Sequence, residues 1–168
     1  TAAPQFNRLL REFPGFFDGK LLTMAAPDSG ERSAAGIPIV LLSTSFYLRA
    51  PAIAEPLLAI PRSIQAEARR FETWASLYSE AADLTAIVGM TPLGTVRLLE
   101  SIERDWDRNR SILLGESPLP PGLPPLRMSG KRRRHLRALL SARSTPGERN
   151  LRSINRLWPN LRAIFGWK

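Results

Sequence analysis

The sequence predicts a mainly α protein: a small helical body, with one possible short β segment at 38–48, and an arginine-rich helical C-terminal extension. Three observations carry this expectation. Apolar residues recur at helical spacing through much of 63–116. Fifteen prolines cut the chain into short elements. The charge is unevenly spread, with the net +9 concentrated at the end of the chain.

The body opens with Pro4 and an apolar side formed by Phe6, Leu9, Leu10 and Phe13, which predicts a short amphipathic helix stopped near Pro14 and Gly15. Loop composition follows at 27–36. The run 36–48 is the most apolar in the chain and suits either a buried strand or a buried helix. Its β-branched and aromatic residues tilt it toward strand. It falls short of the roughly 20 residues needed to span a bilayer, and Arg49, Pro51, Glu55 and Pro56 interrupt any extension.

From Ser63 the helical signal is strong. Ile64, Ala68, Phe71, Ala75, Tyr78 and Ala82 recur at spacings of three and four, widened by Trp74, Leu77 and Ala81. This predicts one long helix ending near Gly89. Thr91 then suits an N-cap and Pro92 the first helical position of a second helix, whose buried stripe is Val96, Leu99, Ile102 and Trp106. Its outer face carries Glu100 opposite Arg104. The stretch 117–126 holds five prolines between Ser117 and Pro125 and reads as a semi-rigid linker, dividing a body (1–116) from an extension (127–168).

The extension carries ten arginines and two lysines against Glu148 alone, whereas residues 1–126 are close to neutral. Ser129 can cap a helix over 130–142, and Thr145 to Glu148 form a capping box with Pro146 at the first helical position. Two-sided helices follow, apolar toward protein and cationic toward a polyanion. Lys131, Arg132, Arg133, Arg134, Arg137, Arg149, Arg152, Arg156 and Arg162 are the expected polyanion-binding residues. Leu136, Leu140, Leu151, Ile154, Trp158, Phe165 and Trp167 are the expected protein contacts. Cations at a helix start oppose its dipole, which points to a docked anion there.

Residues 81–103 resemble the helix-turn-helix of DNA-binding regulators: an apolar first helix, Gly89 in the turn, a capping threonine and a second helix carrying TVRLLESIE. The turn is one residue longer than that family's pattern, and Glu100, Glu103, Asp105 and Asp107 line the second helix.

Catalytic signatures are absent from the sequence. It has no cysteine, a single histidine (His135), no nucleophile elbow and no phosphate-binding glycine loop. No cofactor, metal or small-molecule substrate is inferred from it. The expectation is a non-catalytic structural subunit of a large organellar multiprotein complex, first an RNA-contacting mitochondrial ribosomal protein. The alternatives are an accessory subunit of a mitochondrial respiratory or ATP synthase membrane complex, and a helix-turn-helix regulator. The expected partners are other protein subunits and RNA, with anionic membrane lipid as the alternative anion. Thr1 in place of methionine fits a mitochondrial protein whose leader has been removed.

Overall fold

The computed structural model describes residues 11–24, 31–36, 52–89, 92–141 and 154–166. At its centre lies a parallel sheet of three strands, β1 (Lys20–Met24), β2 (Leu84–Gly89) and β3 (Ala163–Gly166), in the order β1-β2-β3. Between β1 and β2 the chain forms a 3₁₀ turn (Ala52–Leu57), a short helix α1 (Arg62–Gln65) and α2 (Ala68–Ala81). Between β2 and β3 it forms α3 (Pro92–Leu114), α4 (Gly130–Ser141) and α5 (Ile154–Leu157). Parallel neighbours require such crossovers, and helices are the usual way to make them.

The expectation of a mainly α protein is corrected: the chain is α/β. The error lies at Leu84–Gly89, which the helical spacing assigned to the end of a long helix. Every residue of β2 except Val88 is buried, so the strand reads as a continuous apolar run without alternation. Ala82 already leaves the helix, with extended backbone at φ −78° and ψ 146°. A strand therefore separates α2 from α3, and the two are not the consecutive helices of a helix-turn-helix. The same reasoning hid β3, whose AIFG looked like the apolar side of a helix.

The entry to β1 is pinned to the start of β2. The Lys20 amide donates to the Asp83 carbonyl at 2.8 Å, and the Thr85 hydroxyl donates to the Phe16 carbonyl at 2.6 Å. Gly19 sits where the two backbones meet. A Cβ there would lie 2.5 Å from the Asp83 carbonyl oxygen and 2.8 Å from Thr85 Cγ2, so only glycine allows the approach. On the other flank, the Arg162 amide donates to the Thr85 carbonyl at 2.8 Å and Asn160 Nδ2 donates to Asp83 Oδ1 at 2.9 Å.

One core joins the body and the C-terminal part. Leu22, Leu84 and Ile87 of the sheet pack with Leu77 of α2, Leu98 and Ile102 of α3, Leu136 and Leu140 of α4, and Trp158. The proline-rich stretch lies along this core, turning at Pro120–Leu123, with Leu119, Leu123 and Leu126 packed against it. The run 36–48, the opening helix before Arg11, the Thr91 cap and the capping box at Thr145 lie outside the described residues, apart from Gly36.

Candidate functional site

Helix α4 carries the densest charge in the protein. Ser129 caps it as expected, its Oγ accepting from the Arg132 amide at 3.0 Å. Leu136 and Leu140 are buried in the core. Lys131, Arg133, Arg134 and Arg137 are exposed, and among the described residues no carboxylate pairs with any of them. Arg156 and Arg162 are exposed as well. Ile154 is half-buried against the core and Trp158 is fully buried. Arg149, Arg152, Leu151, Trp167 and the side chain of Phe165 lie outside the described residues.

Arg132 departs from its neighbours. Only 2% exposed, it turns inward and donates Nη2 to the Glu80 carbonyl at 2.6 Å and Nη1 to the Leu157 carbonyl. Those oxygens belong to the last turns of α2 and α5, where helix carbonyls lack intrahelical partners and a cation is favoured by the dipole. The indole Nε1 of Trp158 donates to the neighbouring Ser79 carbonyl at 3.0 Å. Burial lowers the Arg132 pKa to about 10, against the opposing pull of Asp83 and Glu80, so the guanidinium remains charged at neutral pH. The helical spacing of Arg132, Leu136 and Leu140, four apart, is the sequence signal that places Arg132 on the apolar side.

Beneath it lies a polar cluster that sequence reasoning missed. Glu80 and Asn109 are both buried, and Asn109 Nδ2 donates to Glu80 Oε1 at 2.5 Å and to Ser76 Oγ at 3.1 Å. Ser76 in turn donates to Asp105 Oδ2 at 3.3 Å. Arg108 closes the chain: its Nη2 lies 3.1 Å from Asp105 Oδ2 and donates to the Thr73 carbonyl at 2.8 Å, while its guanidinium stacks 4.6 Å from the Trp74 ring centre. Glu80 and Ser76 stand four apart on α2, as do Asn109 and Asp105 on α3, so the two pairs face each other across the helix interface. Desolvation pushes the Glu80 carboxyl up to about 8, with the Asn109 hydrogen bond and the Arg132 charge pulling the other way. At neutral pH this acid is largely protonated, which spares the core an ionised carboxylate.

The carboxyl ends of β1 and β2, at Met24 and Gly89, lie side by side, with Gly166 of β3 paired to Gly89. Helix α3 starts three residues after β2, so its positive dipole end stands at this edge. In open parallel sheets ligands bind along that edge. Among the described residues no helix is long and apolar enough to cross a membrane.

No protein-family model matches the chain, and no curated protein matches it. Among solved structures, its fold is similar to that of a GH3.15 acyl acid amido synthetase, with a TM-score of 0.60 and 15% identity over 98% of this chain. The chain spans about a third of that protein, 32% of its length. This likeness counts against the expectation of a non-catalytic chain. That expectation rested on the absence of catalytic motifs from the sequence, and the fold is one shared with part of an enzyme.

Two predictions follow from the buried polar groups. Arg132→Ala is expected to lower the free energy of unfolding by about 3 kcal/mol, while Arg133→Ala and Arg134→Ala change it by less than about 0.5 kcal/mol, read from urea denaturation. For Glu80, the folded pKa of about 8 lies above the ordinary 4.5, so the folded state keeps a proton that the unfolded chain loses between those values. Its contribution is fully present below pH 4.5 and is lost as pH rises toward 8, at no more than about 1.4 kcal/mol per pH unit. Glu80→Gln, which keeps the acceptor for Asn109 and does not titrate, is expected to flatten this slope and to raise Tm above wild type at the alkaline end, measured by thermal unfolding across the range.

Proposed function

We propose that this chain forms part of an enzyme that joins an acyl acid to an amine through an amide bond. The observation that supports the reading is the fold shared over 98% of the chain with the acyl acid amido synthetase. The carboxyl edge of the sheet, at Met24, Gly89 and Gly166, is the proposed place for the acid. A carboxylate there would meet the dipole of α3, a 23-residue helix, at its positive end. Condensing a carboxylate with an ammonium group is uphill in water, so the reaction needs an energy donor that converts the carboxylate oxygen into a leaving group. The test is to incubate the protein isolated from its native source with a panel of carboxylic acids, amino acids and a nucleoside triphosphate. Amide products, detected by mass spectrometry and dependent on all three components, are expected. Absence of both amide and acid-dependent nucleotide cleavage across the panel would refute the reading.

A second reading concerns the outer face of α4 and is compatible with the first. Lys131, Arg133, Arg134 and Arg137 stand exposed with no described acid paired to them, which favours a polyanion, first RNA. Reversing Arg133, Arg134 and Arg137 together to glutamate is expected to abolish salt-sensitive RNA binding in a filter assay while leaving the thermal midpoint near wild type. Undiminished binding by the triple variant would remove this face from consideration.

A further inference from the structure

At the amino end of the strands, opposite the edge just described, the start of β1 and the end of α2 border a cleft of about 130 Å³. Lys20 enters it from β1, Tyr78 from α2, Glu55 from the 3₁₀ turn, and Arg127 from the segment that precedes α4. Ala59, Ala82, Pro124 and Pro125 supply apolar wall. Engineered apolar cavities of about 150 Å³ accept one benzene, so the space suits a molecule of about that size.

The charges lining the cleft do not cancel. Its acid is already committed: Glu55 Oε2 lies 2.9 Å from Arg62 Nε, and Oε1 accepts from the Arg62 amide at 3.3 Å. The Tyr78 hydroxyl donates to the Pro124 carbonyl at 2.5 Å, and burial pushes its pKa up to about 12, so it adds no negative charge. The Lys20 ammonium donates to the Pro56 carbonyl, a neutral acceptor. Burial and the nearby Arg127 guanidinium hold the Lys20 pKa below its usual value, only partly offset by Glu55. Arg127 itself is exposed. Two like charges thus face one small space, an arrangement that an anion placed between them would relieve.

We infer that this cleft binds a small organic carboxylate, its oxygens held between Lys20 and Arg127 and its apolar body laid against the alanine and proline wall. A carboxylate suits the site better than inorganic phosphate because half of the enclosure is hydrocarbon, which a phosphate ion cannot use. The inference does not depend on the synthetase reading. The cleft and the carboxyl edge lie at opposite ends of the strands, and the test below measures binding without turnover.

Isothermal titration of the intact protein with butyrate, benzoate and inorganic phosphate tests it. Saturable binding of both carboxylates is expected, with phosphate weaker. Arg127→Ala removes an exposed side chain and should weaken carboxylate binding roughly tenfold at an unchanged thermal midpoint. Ser63→Trp, at the exposed rim, should abolish binding by filling the mouth. Failure of the wild type to bind either carboxylate, equal affinity in Arg127→Ala, or phosphate binding tighter than both carboxylates would each overturn the assignment.

Discussion

The C-terminal end of α2 is the constraint on which the rest of the structure depends. Its last carbonyls run out of intrahelical partners, the Ser79 oxygen receiving from the backbone only the capping Ala82 amide at 3.3 Å. Two side chains from far along the chain satisfy them: Trp158 bonds the Ser79 carbonyl and Arg132 the Glu80 carbonyl. Arg132 simultaneously holds the end of α5 at Leu157. One guanidinium therefore ties its own helix, α4, to two others through residues 25 and 52 positions away. The geometry also fixes where β3 can run, because Trp158 and Asn160 lead directly into it and Asn160 is bonded to Asp83 at the start of β2. A neutral side chain could fill the space of Arg132 but could not supply both bonds, and the two buried oxygens would be left bare.

What was legible in the sequence divides along a physical line. Helix α4 was readable because it announces itself locally: a serine cap, then apolar residues every three or four positions. Helix α3 was readable for the same reason from Pro92 onward. Strand β2 was not, because it is buried on both faces and loses the alternation that would distinguish it, and β3, only four residues long, is too short to show a period. Their pairing joins residues 64 to 77 positions apart, which no local pattern encodes. Arg132 is the instructive case within the site. Charge alone grouped it with Arg133 and Arg134, whereas its spacing to Leu136 and Leu140 put it on the buried side. Periodicity should have overruled residue type there. Glu80 and Asn109 offered no comparable signal: each sits where polar and apolar residues mix on a long helix, and only the facing of α2 and α3 reveals them as partners.

The buried charges form a consistent set. An ionised glutamate, an aspartate and two arginines sharing one core would demand near-complete pairing. The structure avoids this by keeping Glu80 largely protonated at neutral pH, leaving Arg132 as the buried cation with Asp83 and the helix carbonyls to stabilise it. Asp105, closer to solvent, takes the ion pairs with Arg104 and Arg108. Asp105 is thus an arginine-paired acid from which the surface grades into a neutral hydrogen-bonded interior through Ser76 and Asn109.

The sheet itself separates the sites. Parallel strands have two unlike edges: at one, chains leave toward helix N-termini; at the other, they arrive from helix C-termini. The first edge is where α3 begins, with the positive end of its dipole. The second lies beside the end of α2, where Lys20 and Arg127 stand over an apolar wall. The outward cations of α4 belong to neither, because Arg132 binds that helix down by its opposite side. Ile164 on β3, at 53% exposure, and Leu93 on α3, at 56%, leave apolar surface bare on the strand and helix nearest the first edge. Parallel sheets are ordinarily covered on both faces, so this bare surface is where added structure would gain most, and it borders the edge where α3 begins rather than the cleft or the basic face.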